Sequence, residues 1–275
     1  MPPKNRVSQT IGFDSVDANR NNINWKAWTL RPIVLFTATY IIVAMLHELT
    51  HALTAHALHV PSTFLPIGVN VDRTAGTVNQ HSVISASGPL FCLGIGLFSW
   101  GAYLKARNSR FGLPFLYVVM FGAGTFFGNL MSTAFAGDFS RLALTLQLPI
   151  AVRYSASVAG ILLLCGLSFS IGLELRTWAP AEVSATRATI GMIVLPAIVG
   201  TGVVVLILLP MPVAFAQARI AESSFWIFAA VGTMVSRKRS AESKRNLYLG
   251  WVDIALLLLV TLVVRLAARG ITFAP

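Results

Sequence analysis

The sequence predicts an all-α, multi-pass membrane protein of six to seven transmembrane helices, with a small β-hairpin-like segment after the first span. Three observations carry that expectation. The 275 residues are 55% hydrophobic and 11% charged, too little charge to clothe a soluble surface of that size. Several apolar runs exceed the roughly 18 residues that mark a transmembrane helix. The net charge of +11 falls mostly in short segments between those runs, as the positive-inside rule places it. The basic balance therefore implies a lipid bilayer as partner, and no nucleic acid.

Residues 1–31 form a polar, Asn-rich N-terminal arm without the apolar stretch of a signal peptide. The first span runs from Pro32 to about Leu58. Further spans follow at about Val83–Leu104, Leu113–Ala136, Ser155–Leu173, Ile190–Leu209 and Leu247–Val264. Val213–Val235 is interrupted by Arg219 and Glu222, and its tail Phe225–Val235 is too short to cross alone at about 1.5 Å per residue. Counting Val213–Val235 as a crossing puts residues 1–31, 105–112, 174–189 and 236–246 on one side. Those segments hold 15 of the 21 Lys and Arg, including the Arg237–Arg245 cluster. Arg73, Arg141, Arg153, Arg219, Arg265 and Arg269 are left for the other side and the final helix. The expected topology is seven crossings in a bacterial plasma membrane, with the N-terminus cytoplasmic. Cys92 and Cys165 both lie in apolar stretches and form neither a disulfide framework nor a thiolate metal site.

The chemistry sits in the first span, which contains HELTH. His47 and His51 are four residues apart on a helix, so they share a face and can aim two imidazoles at one metal ion. Glu48, beside the first of them, is placed as general base. Zn²⁺ suits two neutral imidazoles plus a third protein ligand. Ionisable side chains inside a bilayer cost about 2.5–3.5 kcal/mol each, and a bound metal offsets that cost better than hydrogen bonds to neighbouring helices. His56 and His59 point elsewhere around the helix, near the span's end, and read as interfacial.

Depth selects the third ligand. His47 and His51 lie past the midpoint of their span, close to its exit. Asp138 closes the third span, which runs in the same direction and ends on the same side. Asp253 begins a helix from the opposite face and reads as a helix N-terminal acid or a partner of Arg245. Asp138 is therefore the expected third ligand.

These features together resemble the site-2 protease family of intramembrane zinc metalloproteases. HELTH matches the family's catalytic helix. Phe64-Leu65-Pro66-Ile67-Gly68 and Ser87-Gly88-Pro89-Leu90 resemble the family's membrane-dipping hairpin and the segment that opens its next span. Asn129, nine residues before Asp138, and Arg141, three after it, resemble the family's third-ligand segment. There are departures: Phe139 follows the Asp where the family has Gly, Ser132 replaces a Pro, and Cys92 replaces an Asn. The resemblance covers residues 32–145, a metalloprotease-like core; residues 146–275 are additional transmembrane helices outside it. In the family the exit side of the catalytic helix faces the cytosol, whereas loop charge here puts it on the opposite side.

The resemblance implies a zinc-dependent endopeptidase acting on membrane-protein substrates. His47, His51 and Asp138 would hold the metal, and Glu48 would act as base. An edge strand within Thr63–Asn79 would hold the substrate extended. Asn129 would either steady the substrate backbone or make an inter-helix hydrogen bond, and Arg141 would anchor its span at the interface. Two alternatives stand beside this reading: a non-proteolytic structural or assembly subunit of a membrane complex that retains the site, and a hydrolase acting on lipid.

Overall fold

The computed structural model describes residues 25–66, 68–180, 182–209, 226–236 and 249–273. The polar arm up to residue 24, the Arg237–Arg245 cluster and the first part of Val213–Val235 lie outside these residues. Helix α1 (Trp25–Ala57) carries the HELTH motif near its C-terminal end. Past it, His59 takes a left-handed φ of 58° and its amide bonds back to His56 O, which turns the chain into strands β1 (Ser62–Leu65) and β2 (Gly68–Val71). These form an antiparallel hairpin in which Leu65 faces Gly68. Helix α2 (Val78–Ala106) starts on a capping box, Thr77 with Gln80, that satisfies otherwise unpaired amides at its N-terminus.

Helix α3 (Gly112–Met131) ends in a 3₁₀ turn, Ser132–Ala134, which leads into the short helix α4 (Gly137–Thr145). Then come α5 (Ile150–Arg176), α6 (Ala185–Leu208), α7 (Trp226–Val235) and α8 (Trp251–Ala267). Helix α6 carries two π-helical stretches, on either side of Leu195. Pro196 opens the second, and its missing amide breaks the regular ladder there. Strand β3 (Ile271–Phe273) pairs antiparallel with β1, so the sheet order is β2-β1-β3.

Five helices are long and apolar enough to cross a membrane: α1, α2, α3 with its 3₁₀ extension, α5 and α6. They mark the chain as a membrane protein. All but α3, which stops at Ala134, outrun the apolar stretch that predicted them, because the helical ladder continues into flanking polar residues; Asn79 and Gln80 lie inside α2, ahead of Val83. Helix α8, with 17 residues, reaches about 26 Å, a little short of a bilayer core.

The helix ends alternate as the charge pattern requires. Arg31, early in α1, bonds Arg110 O before α3 and Asp253 at the start of α8, while Glu174 at the end of α5 takes Tyr103 and Arg107 from the end of α2. The segments around 105–112 and 174–176 thus share the Arg31 end of the bundle, and the histidines lie toward the other end. Helix α7 departs from expectation. Gly172 meets Ala229 and Gly232 meets Phe169 at close range, so α7 runs antiparallel to α5 and away from the Arg31 end. The second half of Val213–Val235 therefore runs opposite to the expected crossing. Glycines let the two backbones approach closely, and ten residues end at mid-depth.

One buried core joins both halves of the chain: Trp28 and Phe36 of α1 pack with Tyr117 of α3, Ile171 of α5, Met192 of α6 and Trp226 of α7. Residues beyond 145 thus pack directly against α1.

Candidate metal centre

Helical spacing puts His47 and His51 one turn apart, with ring centroids 4.7 Å apart and both side chains buried. Asp138 reaches them through a shaped turn. Gly137 takes φ +84°, open to glycine without strain, and a Cβ there would press on Ser132 and Asn129. The Asp138 amide donates to Asn129 Oδ1 at 3.1 Å. Helix α5 clamps the preceding 3₁₀ turn: the Arg153 guanidinium donates to Ala134 O (2.7 Å), and the Ala134 amide donates to Ser157 Oγ (3.0 Å).

The cluster is tight. His47 Nε2 lies 3.0 Å from Asp138 Oδ2, His51 Nε2 lies 3.4 Å from the same oxygen, and the two Nε2 atoms are 3.1 Å apart. On the outer side, His51 Nδ1 stands 2.6 Å from Ile84 O and 3.3 Å from Ser87 Oγ, and His47 Nδ1 stands 3.5 Å from Cys92 Sγ. A carbonyl only accepts, so His51 carries a proton on Nδ1, and in the neutral ring its Nε2 lone pair faces the cluster. With both rings neutral and protonated on Nδ1, two imidazole lone pairs and a carboxylate oxygen converge here and repel one another unless a cation sits among them. A proton can bridge one pair; a metal ion satisfies all three. Donors on a tetrahedron with arms of about 2.0–2.1 Å stand roughly 3.3 Å apart, the scale of the triangle seen here. His47, His51 and Asp138 therefore form a group that could hold a metal ion.

The site opens into a cavity of about 1390 Å³. Glu48 lines it beside both histidines, β2 lines one wall, and Arg73 and Arg141 lie at the same end. The cavity then runs along α1 and α3 to an apolar end at Phe36, Phe121 and Trp226. Strand β1 is paired on both sides, whereas β2 and β3 pair only with β1 among the described residues, and of these two edge strands it is β2 that lines the cavity. Beyond β2, the Thr74 hydroxyl and amide bond the Asp72 carboxylate. These bonds hold it below the usual carboxylate range and fix the turn.

The structure brings His47, His51 and Asp138 together, with Glu48 on the same cavity. Of the two roles expected for Asn129, the structure shows a hydrogen bond between helices: Nδ2 donates to Thr125 O in its own helix and Oδ1 accepts from the Asp138 amide of α4, so its side chain holds the Asp138 turn. Arg141 lies 3.6 Å from Asp138 Oδ1 and is half exposed, which suits an interfacial residue. His56 and His59 are exposed and away from the cluster. Asp253 caps the Gly250 amide, the expected N-terminal role, and its ion partner is Arg31; Arg245 lies outside the described residues. Sequence reading missed Gly88, Arg153 and Ser157 as supports of the centre. Only Gly88-Pro89 left a signal, as a glycine inside an otherwise apolar helix. No family model, curated protein or solved structure matches the chain.

Proposed function

We propose that this chain is a zinc-dependent intramembrane endopeptidase that hydrolyses peptide bonds in or near transmembrane segments of other membrane proteins. One observation carries the reading: a His-His-Asp donor set, a glutamate beside it and an open strand edge share one cavity inside a helical bundle. Two imidazoles and one carboxylate suit zinc, with room left for reactants. Zinc, when bound, supplies the Lewis acidity that polarises a carbonyl and acidifies water. Glu48 takes the proton from the attacking water and returns it to the leaving amine. The free edge of β2 pairs with the substrate main chain and holds it extended, since a helical peptide shields its amide bonds. The apolar limb of the cavity receives the flanking hydrophobic side chains. Asn129 acts through Asp138, as a positioning residue.

The test compares purified wild type with Glu48→Gln in liposomes, each with co-reconstituted single-span proteins, while zinc is measured in both. The expected result is cleavage by the wild type alone, with zinc retained in both. No cleavage difference across a broad substrate panel, with zinc present in both, would remove the protease reading and leave a metal-binding membrane subunit. A wild type that takes up no metal would remove the enzyme reading altogether.

A further inference from the structure

Both histidines enter the cluster through Nε2, so each must carry its single N–H on Nδ1 to be a metal ligand. Helix α2 supplies the groups that face those two nitrogens. Ile84, Gly88 and Cys92 are spaced four residues apart and form one stripe along α2. The stripe lies against the matching pair four apart on α1. Ile84 O meets His51 Nδ1 at 2.6 Å. Gly88 has no side chain where a Cβ would strike both rings. Cys92 Sγ stands 3.5 Å from His47 Nδ1, within hydrogen-bonding range for sulfur, and Cys92 is fully buried at 0% exposure.

We propose that Cys92 is a positioning residue of the metal centre: its sulfur accepts the Nδ1–H of His47, fixing that ring's tautomer and plane. The proposal rests on the metal-site reading. The thiol is not a fourth ligand, because it stands beside Nδ1 while Nε2 faces the cluster. The two histidines therefore have unequal supports. His51 leans on a backbone carbonyl, a strong acceptor that no side-chain substitution removes. His47 leans on a sulfur, a weak and polarisable acceptor, so its orientation depends on the identity of one side chain. Outer-layer partners of metal-bound histidines set ring orientation and basicity, and losing one lowers metal affinity about 10–100-fold.

The test uses the full chain in detergent, stripped of metal and titrated with Zn²⁺ against a chromophoric chelator, then with Co²⁺ for its visible spectrum. The variants are Cys92→Ala, Cys92→Ser and, as a control on α5, Cys165→Ala. Cys92→Ala should weaken zinc binding about tenfold or more and alter the cobalt ligand-field bands. Cys92→Ser, which keeps an acceptor, should recover much of both, and Cys165→Ala should match wild type. Wild-type cobalt protein should show no sulfur-to-cobalt charge-transfer band. Such a band, lost in Cys92→Ala, would make the thiolate a ligand and overturn the proposal. Unchanged affinity and spectrum in Cys92→Ala would also overturn it. So would equal weakening in the Ala and Ser variants, which would assign the effect to packing. A wild type that binds neither metal would fail the metal reading itself, a result distinguishable from all of these.

Discussion

Replacing Gly88 by alanine adds one methyl group at the point where α2 passes closest to the two histidines. An ideal Cβ there would lie 2.4 Å from His51 Nε2, 2.7 Å from His51 Cε1 and 2.9 Å from His47 Cε1. Ordinary contact needs about 3.5 Å or more, so something must give by about 1 Å. The rings cannot swing far, because Ile84 O holds His51 and Cys92 stands against His47. Either the rings move off the cluster or α2 moves away from α1. Metal sites tolerate only about 0.2 Å in ligand distance, so both routes should lower metal affinity at least a hundredfold. The overpacking should destabilise the fold by about 1–3 kcal/mol. Gly94, on the same helix, has nothing within 4 Å of its Cβ position. Gly94→Ala should retain metal and gain up to about 1 kcal/mol from helix propensity. The assay is zinc competition against a chelator, with thermal unfolding in detergent run in parallel. Wild-type zinc affinity in Gly88→Ala would refute the geometry described for the centre.

Two further predictions concern its supports. Arg153→Met with Ser157→Ala should release the Ala134 turn that presents Asp138; zinc affinity should fall about tenfold while helicity by circular dichroism stays unchanged. At the opposite end of α1, Asp253→Ala strips the buried Arg31 of its carboxylate partner and should cost about 3–5 kcal/mol in unfolding stability. Arg31→Met with Asp253→Leu should recover much of that loss, and zinc affinity should stay at the wild-type level in both, since the pair lies about 24 Å along the helix from His47.

The cluster of His47, His51 and Asp138 was legible in the sequence because its rules are local or one-dimensional. A spacing of four puts His47 and His51 on one face whatever surrounds them, and a count of residues from each span's entry gives depth. Depth chose Asp138 over Asp253, and the structure sets the two acids at opposite ends of α1, on the cluster and on Arg31. The hairpin after α1 was legible for the same reason. The sequence left two roles open for Asn129, and its hydrogen-bond partner, the Asp138 amide, is decided by a turn, Ser132–Gly137, whose shape depends on α5. The course of α7 was misread because hydropathy reports that a segment is buried, not in which direction it runs; Gly172 and Gly232 settle that by permitting one close antiparallel contact.

By itself, the sequence determined the membrane class, the order of the long helices, the two histidines on one face and the acid at their depth. These follow from periodicity and from the cost of placing charge in lipid. Only the tertiary structure decided what stands behind those ligands. Ile84, Gly88 and Cys92 support the rings, Arg153 and Ser157 hold the Asp138 turn, and β3 covers the far side of β1, which among the described residues leaves β2 as the edge strand lining the cavity. Each of those contacts joins residues far apart in the chain through a close approach of two backbones, and no rule of spacing within one segment contains that information.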